Sequence, residues 1–262
     1  MPTFEILCTT MQQTDFSKIK EMNIKSDVVF ANQCDHTSYE ETEFDGHKAK
    51  MISTETRGVG KNRNLALIYA SADICLFADD DVVYNDGYEK IICDFYDNHP
   101  DADLVVFNLL VSRNGSEPKS VIHSSGKLKR KTLSFGTYAI SVRRSAIDWH
   151  NIRFHHQFGG GTPFSCGEDS KFLNDCFDNK LTAYTCSDTI GSVFHKESTW
   201  FDGFSDKHFI DKGVLFYSLM KKLALPATLY HCIKHKSEYA QFGSKKAFKL
   251  MLQGIKLAKK MD

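Results

Sequence analysis

Short runs of consecutive apolar residues recur along the first 110 positions and alternate with segments of helical spacing. Such a run, without polar alternation, is typical of a strand that is buried on both faces. The predicted strands are residues 4–8, 27–31, 73–78 and 103–107. The predicted helices between them are 15–24, 62–71 and 87–97. This alternation predicts an α/β fold, with a mostly parallel sheet flanked by helices.

The second half of the chain has a different pattern. Residues 111–135 are polar and basic, which is typical of a surface loop or hairpin. From residue 204 onward, apolar and lysine-rich segments have helical spacing, and the clearest of them, 244–261, is an amphipathic basic helix. Its apolar arc holds Phe248, Met251, Leu252, Ile255 and Ala258, and its lysine arc holds Lys245, Lys249, Lys256 and Lys260. The pattern therefore predicts a helical C-terminal extension.

Composition narrows the class of protein. With 42% hydrophobic and 25% charged residues, the chain has the composition of a globular protein rather than a disordered or fibrous one. It contains no run of the ~18 to 20 apolar residues that span a membrane, and its start lacks the pattern of a secretory signal. The eight cysteines include no C-x-x-C pair, which indicates reduced thiols. We expect a soluble, cytoplasmic protein.

Charge is distributed unevenly along the chain. Residues 201–262 contain twelve lysines and five acids, a net charge of +7, so residues 1–200 carry −7. Two explanations remain open for the basic helix 244–261. It could lie on an anionic membrane surface, at the inner face of the membrane, or it could pack on the rest of the protein with its lysines in water.

The string ICLFADDDVVY carries the strongest chemical signal, because a buried strand runs directly into three carboxylates. Ligands bind at the carboxyl ends of strands in open α/β sheets, and clustered carboxylates suit Mg²⁺ or Mn²⁺. Alternate side chains of an extended segment point the same way, so Asp79 and Asp81 can share a metal while Asp80 points elsewhere. The alternative is a solvated acidic turn.

A glycine-containing basic segment lies upstream, immediately before a predicted helix. It supplies Arg57, Gly58, Gly60, Lys61 and Arg63. Cations, glycines and a helix N-terminus together suit a diphosphate. The segment matches neither the Walker pattern nor G-x-G-x-x-G, and a glycine turn that merely starts a helix explains it equally well.

A second pair of acids, Glu168 and Asp169, follows a glycine-rich loop at the start of a predicted helix. The structural explanation for this pair is that the helix dipole favours acids in the first turn of a helix. The functional explanation is a carboxylate that takes a proton from an attacking hydroxyl beside a substrate loop.

These strings together resemble the inverting family-two glycosyltransferases of the GT-A fold, of the bacterial surface-polysaccharide type. The resemblance covers about residues 3–200 and rests on RGVGKNRNLAL, FADDDVVY, FGGGTPFSCGEDSKF and VFHKEST in that order. It implies a nucleotide-sugar-binding half at 1–110 and an acceptor-binding and catalytic half at 111–203, and the helical extension that the apolar pattern predicts follows at 204–262.

The resemblance also implies roles for individual residues. Asp79 and Asp81 match the D-x-D pair that holds the metal and the nucleotide sugar, with Asp80 beside them in the donor site. Asp169 matches the general base, and Glu168 would orient the acceptor or the base. His195 matches a histidine that helps hold the metal or the diphosphate, although a structural histidine fits the pattern nearly as well.

Further donor contacts follow from the same resemblance. Thr9 and Thr10 end the first strand where the nucleotide pocket begins, and Arg63 matches the arginine of an A-R-N element. Arg57 and Lys61 would neutralise the diphosphate. Relatives usually have an acidic turn after the second strand, whereas this chain reads VVFANQCDH. Asn32 and Gln33 could bond a uracil edge there instead, and Asp35 could be the displaced acid.

The resulting hypothesis is a metal-dependent inverting hexosyltransferase. It would use Mn²⁺ or Mg²⁺ and would move a hexosyl or N-acetylhexosaminyl unit from a nucleotide sugar, with UDP as the expected nucleotide. The acceptor would be a hydroxyl of a saccharide or a lipid-linked saccharide, and no nucleic-acid partner is expected. Two alternatives remain: a nucleotidyltransferase that makes a sugar-1-phosphate, and a non-catalytic, metal-dependent carbohydrate-binding module.

Overall fold

A computed structural model of the protein describes residues 2–113, 115–128, 133–195 and 203–262. Within these residues, one mixed sheet of eleven strands forms the centre of the fold. The strands are β1 (Phe4–Met11), β2 (Asp27–Gln33), β3 (Ser38–Phe44), β4 (His47–Thr54), β5 (Ile74–Asp79), β6 (Val82–Tyr84), β7 (Leu104–Arg113), β8 (Lys119–Ser120), β9 (Gly126–Lys127), β10 (Ile140–Arg143) and β11 (Ala183–His195).

Helices cover the sheet and form the C-terminal region. They are α1 (Lys18–Glu21), α2 (Val59–Tyr69), α3 (Tyr88–Asn98), α4 (Arg144–Trp149), α5 (Glu168–Asp178), α6 (Asp206–Met220), α7 (Ala224–Lys234) and α8 (Ser244–Met261). The predicted α/β fold with a helical C-terminal region is therefore confirmed.

The main path through the sheet has the order β3-β4-β2-β1-β5-β10-β7-β11-β6. The neighbours β4, β2, β1 and β5 pair in parallel, as do β7 and β11. The short strand β10 lies between β5 and β7 and is antiparallel to both. The four predicted strands thus all run in one direction, and their apolar runs are buried, as the absence of polar alternation indicates.

The sheet begins at one edge with a hairpin that the apolar pattern did not predict. Strands β3 and β4 pair antiparallel, and the chain turns between them at Asp45 and Gly46, whose φ angles are 46° and 83°. An Asp-Gly pair is a strong hairpin signal, because both central residues of such a turn need positive φ. The side chains of β3 are partly or fully exposed, so no apolar run marks this strand.

The three C-terminal helices pack on each other and have their own apolar cluster, which contains Phe209, Tyr239 and Met251. Helices α6 and α8 cross at two glycines. A Cβ at Gly213 would overlap the backbone carbonyl of Met251, and one at Gly254 would overlap the carbonyl of Ile210. The two backbones therefore lie in direct contact. None of the described helices has the length and apolar character needed to cross a bilayer.

This helical unit rests on the loop that precedes α5. Phe158 and Phe164 of the loop pack with Val214 and Leu215 of α6. Gly167, at the end of the loop, has φ of 103°, and a side chain there would overlap Leu215. The position of α6 is thus fixed against the residue that immediately precedes α5.

Candidate active site

Polar side chains converge where β1, β2 and β5 end. In the parallel register Thr9 lies opposite Asp79, and Thr10 lies opposite Asn32. Because the carboxyl ends of these strands share one edge of the sheet, residues from distant parts of the chain meet there. Helix α2 runs beside this edge and contributes Arg63.

Arg63 connects three acids that come from two separate elements. Its Nη2 atom lies 3.0 Å from Oδ1 of Asp79, and its Nη1 atom lies 3.2 Å from Oε1 of Glu168 and 3.4 Å from Oδ1 of Asp169. Its guanidinium also lies over the ring of Phe154, at 5.4 Å from the centroid. The D-x-D segment and the E-D helix start, which the sequence separates by almost ninety residues, are joined by one cation.

The Arg63 side chain is only 4% exposed, so its charge must be compensated inside the protein. Burial by itself lowers the pKa of Arg63, but the negative charges of Asp79, Asp169 and Glu168 outweigh this effect and raise the pKa above the usual arginine value. The guanidinium is therefore a permanent positive charge at the centre of the site.

Asp169 has the electrostatic environment of a base that works near neutral pH. Burial, followed by the negative charge of Glu168, raises the pKa of Asp169 to about 7, although Arg63 and a hydrogen bond from Thr137 oppose the shift. Its side chain nevertheless keeps 28% of its surface exposed. The carboxylate thus combines reduced solvation with access to a substrate.

The exposed part of Asp169 faces a cavity of about 400 Å³. The wall combines aromatic rings, small residues and hydroxyls, which suits a carbohydrate. The lining residues are Val121, Ser134, Phe135, Gly136, Tyr138, Ala139, Gly167, Asp169 and Ser170. The cavity therefore places a binding space directly beside the carboxylate.

The acidic strand end offers hard oxygen ligands beside this network. Thr9 donates to Oδ1 of Asp79 at 3.2 Å, and Thr10 donates to Oδ2 of Asp80 at 2.6 Å. Asp80 is half-buried, whereas Asp81 is exposed. The threonines thus act here through the carboxylates, which they orient.

His195 ends β11, which pairs antiparallel with β6 so that Val193 lies opposite Val82. This register leads the end of β11 toward Asp81, while the side chain of His195 lies outside the described part of the chain. The carboxylates of Asp79 and Asp81 are hard oxygen ligands, a donor type that fits Mn²⁺ or Mg²⁺.

Asn32 and Gln33 lie at the predicted edge but bond to the protein. Asn32 is fully buried: its side-chain amide donates to the carbonyl of Gln13 at 2.9 Å and to Ser53 at 3.0 Å, and its Oδ1 accepts from the Gln13 amide at 3.0 Å. The Oε1 atom of Gln33 accepts from the backbone N–H of Gly58 at 2.9 Å. Both side chains therefore hold the loops around the strand end.

The basic segment at the start of α2 also bonds to neighbouring parts of the protein. Gly58 has φ of 122°, and the backbone N–H of Val59 donates to the carbonyl of Gly160 at 3.0 Å. Arg57 is exposed and donates to the carbonyl of Cys34 at 2.9 Å, while Lys61 is exposed to solvent. The two cations lie at the surface, whereas the backbone amides of Gly58 and Val59 are engaged by the protein.

The predicted displaced acid, Asp35, forms part of a small polar group. Its Oδ1 lies 3.0 Å from Nδ1 of His36, and the thiol of Cys34 donates to the carbonyl of His36 at 3.2 Å. Within the described residues, these three side chains are the one set of three potential metal ligands whose atoms lie within 4.8 Å of one another. They bond to each other at the end of β2, on the side of the site occupied by Arg57.

Sequence reasoning missed several residues that shape the site. Thr137 lies 32 positions before Asp169, outside every motif, and nothing in its surroundings marks it. Asn62 and Asn64 flank Arg63 and could have been found from the N-R-N string. Asn62 donates to the carbonyl of Ala31 at 2.6 Å, and Asn64 bonds both backbone groups of Phe154 at 2.8 Å.

Residues 27–161, just over half of the chain, match the family model described as Glycosyl transferase family 2. The chain belongs to this family. This membership makes it a glycosyltransferase, and it confirms the resemblance derived from the motifs. A search of curated protein sequences found no significant match to this family-two chain.

Solved structures support the GT-A-like fold. The crystal structure of residues 1–349 of S. aureus TarS in complex with UDP-GlcNAc has a TM-score of 0.61 at 17% identity, over 84% of this chain and 67% of that chain. The same fragment in complex with UDP gives a TM-score of 0.59 at 17% identity, over 84% and 66%. The family-two chain spans 40% of a longer TarS structure, at the same identity and TM-score.

Proposed function

We propose that this protein is an inverting glycosyltransferase that moves a hexosyl or N-acetylhexosaminyl unit from a UDP-sugar to a hydroxyl of a saccharide or a lipid-linked saccharide. The observation that carries the proposal is Asp169, whose pKa is raised to about 7, at the wall of a cavity and joined through Arg63 to the strand end at Asp79. The TarS structures contain UDP-GlcNAc and UDP, which favours uridine as the nucleotide.

The acceptor side of the reaction follows from Asp169. The hydroxyl of the acceptor lies in the cavity and loses its proton to the carboxylate as its oxygen forms a bond to the anomeric carbon. The bond from that carbon to the phosphate oxygen breaks, and its electron pair leaves with UDP. One displacement on the face opposite the leaving group inverts the anomeric centre, and the products are a glycoside, UDP and one proton.

The donor side follows from the strand end and α2. We assign Asp79, Asp81 and His195 to a divalent metal, Mn²⁺ or Mg²⁺, which when bound would neutralise negative charge on the diphosphate. Arg57 and Lys61 lie at the surface near this edge and would add positive charge. Arg63, whose charge is already shared by three acids, acts as a positioning residue that sets the distance between the donor edge and the base.

Glu168 and the strand-end amides complete the assignment. Glu168 shares Arg63 with Asp169, and its negative charge helps to keep the pKa of the base near neutrality. Asn32 and Gln33 shape the nucleotide pocket through the loops that they hold. In this scheme residues 1–110 bind the donor, and residues 111–203 supply the acceptor site and the base.

The test is incubation with a panel of UDP-sugars, Mn²⁺ and saccharide acceptors, with detection of UDP and with proton NMR of the new anomeric coupling. The proposal expects release of UDP and a glycoside whose anomeric configuration is opposite to that of the donor. A product with retained configuration would contradict the inverting mechanism. Formation of a sugar-1-phosphate would indicate a nucleotidyltransferase, and binding without turnover would indicate a carbohydrate-binding module.

A further inference from the structure

Helix α7 exposes an apolar face. Leu225 is 53% exposed, Leu229 is 50%, and both Tyr230 and Ile233 are 66%. Their spacing of i, i+4, i+5 and i+8 places them on one side of the helix. The adjacent row, with Ala224, Thr228 and Cys232, is buried against the rest of the helical unit. One side of α7 thus holds the unit together, while the other faces solvent with large apolar side chains.

The apolar surface continues beyond α7 onto the ends of its neighbours. Met220 and Leu223, at the corner between α6 and α7, are 41% and 66% exposed, and Leu257 and Met261 of α8 are 42% and 50% exposed. The C-terminal ends of α6 and α8 are adjacent, because Lys221 forms an ion pair with Asp262 and Lys259 lies over the ring of Tyr217. We define the apolar face as the eight exposed residues Met220, Leu223, Leu225, Leu229, Tyr230, Ile233, Leu257 and Met261.

Lysines surround this face. Lys221, Lys222, Lys234, Lys236, Lys256 and Lys260 are all exposed. Residues 220–237, every one of which the structure describes, contain no aspartate or glutamate. The apolar face therefore has a predominantly positive rim, in which Asp262 pairs with Lys221 and the next acid, Glu238, pairs with His235 just beyond α7.

Helix α8 itself does not present the surface that its sequence pattern suggests. Met251, Ile255 and Ala258 of its apolar arc are buried, and the helix packs closely on α6. This position confirms the plainer of the two explanations for that arc. The lysines of α8 remain exposed, so half of the apolar face lies on α7, the rest lies at the ends of the neighbouring helices, and the positive charge comes from both α7 and α8.

We propose that the apolar face docks onto an anionic lipid bilayer surface. Apolar side chains on one side of a helix insert into the boundary between head groups and acyl chains, and surrounding lysines are attracted to anionic lipids. A second copy of this chain fits less well, because a symmetric contact would bring the lysine rims of both copies together. The positive charge of the lysine rim therefore favours an anionic lipid surface over a second copy of the chain as the partner of the apolar face.

Docking in this way would also orient the acceptor side of the molecule. The helical unit packs on the loop that contains Phe158 and Phe164, and this loop leads to Glu168 and Asp169. A bilayer bound at α7 would therefore hold the cavity beside Asp169 at a fixed position relative to the membrane. The proposal does not depend on the proposed function, since binding to a bilayer can be measured without any sugar.

The test is co-sedimentation of the full chain with mixed phosphatidylglycerol and phosphatidylcholine vesicles and with pure phosphatidylcholine vesicles, at low and high salt. The wild-type protein is expected to sediment with the anionic vesicles at low salt and to be released by high salt. The double variant Leu229→Gln, Ile233→Gln should lose at least about tenfold in partitioning. The double variant Lys222→Gln, Lys234→Gln should lose about fivefold per lysine, on anionic vesicles only.

The matched control is Ile68→Gln, an equally exposed apolar side chain on α2, which should partition as the wild type does. Circular dichroism checks that each variant is folded. The proposal is overturned if the wild-type protein does not sediment with anionic vesicles at low salt, or if the Leu229 and Ile233 variant sediments equally well. Light scattering that shows a dimer only for the wild type, without vesicle binding, would assign the face to a second copy instead.

Discussion

The hydroxyl of Thr137 donates a hydrogen bond to Oδ1 of Asp169, the same oxygen that faces Nη1 of Arg63. Thr137 precedes β10 and is buried, so its hydroxyl is held in place by the sheet. A hydrogen bond to a carboxylate favours the charged form, and this one opposes the effect of burial on the pKa of Asp169. Thr137 thus helps to keep the proposed base available near pH 7.

Replacement of Thr137 by valine should shift the pH profile of transfer. Valine preserves the shape but removes the hydroxyl, so the pKa of Asp169 rises further and the activity at pH 7 falls about threefold to tenfold. Thr137→Ser keeps the hydroxyl and serves as the control. The measurement is kcat against pH for the three proteins; coincident profiles would show that the hydrogen bond has no influence on the base.

Asp169→Asn should abolish turnover while donor binding remains. The amide preserves the shape of the carboxylate but cannot accept the proton, and a general base contributes about 10²- to 10⁴-fold to the rate. Donor affinity, measured by calorimetry, should stay within a few-fold of the wild type. Asp175→Asn, six residues further along the same helix, should retain its activity. A turnover of Asp169→Asn near that of wild type under saturating substrates would remove Asp169 from the mechanism.

The same carboxylate should affect stability in a defined pH window. Because its pKa in the folded state, about 7, lies above the ordinary value of 3.8, the folded state binds more protons than the unfolded state between these values. The raised pKa of Asp169 therefore adds to the free energy of unfolding. This added stability is fully present below about pH 4 and is lost as the pH rises through 7. Urea denaturation at several pH values measures the free energy of unfolding. As the pH rises, this free energy should fall less for Asp169→Asn than for the wild type. An equal fall for both proteins would contradict the raised pKa of Asp169.

Arg63→Gln should destabilise the fold strongly. It leaves Asp79, Glu168 and Asp169 close together without their shared cation, and removal of one partner from a buried ion network costs about 3 to 5 kcal/mol. The matched control is Arg153→Gln, whose pair with Asp148 is about one-third exposed and should contribute about 1 kcal/mol or less. Chemical denaturation at pH 7 gives both values, and equal losses for the two variants would show that Arg63 is no more important than a surface arginine.

Asp81→Asn should weaken the binding of UDP only in the presence of Mn²⁺. A neutral amide is a poorer ligand for a hard cation than a carboxylate, so the metal-dependent affinity is expected to fall about tenfold or more. Calorimetry with and without Mn²⁺ measures the difference. Asp97→Asn, an exposed acid on α3, is the control for a general loss of negative charge. Unchanged metal-dependent affinity of Asp81→Asn would exclude this strand end as the metal site.

The sequence predicted those parts of the fold that are buried on both faces. Strands β1, β2, β5 and β7 are continuous apolar runs, and the helices α2, α3, α5 and α8 have clear start signals or apolar stripes. Strand β3 was missed because its side chains are largely exposed, although Asp45 and Gly46 marked the turn of its hairpin. Strand β10 is only four residues long, and its position depends on pairing with β5 and β7. The pattern of apolar residues within β10 itself gives no information about that pairing.

The candidate site could be predicted where residues of the same chemical type lie close together in the sequence. The acids at 79–81 and 168–169 stand out as clusters, and the structure brings both clusters to Arg63. The link between them was not predictable, since it depends on which face α2 turns toward the sheet. Likewise, Arg63 was predicted as a contact of the diphosphate, whereas its guanidinium lies buried among carboxylates, a position set by tertiary packing.

The two glycines at the crossing of α6 and α8 leave no side chain between the two backbones at that point. With their backbones in contact, the two helices form one closely packed piece, and a close-packed interior transmits strain. That piece touches Gly167 through Leu215, and Gly167 is the residue on which the first turn of α5 begins. The crossing therefore couples the C-terminal helices to the start of α5, and we expect a displacement of these helices to shift the carboxylates of α5.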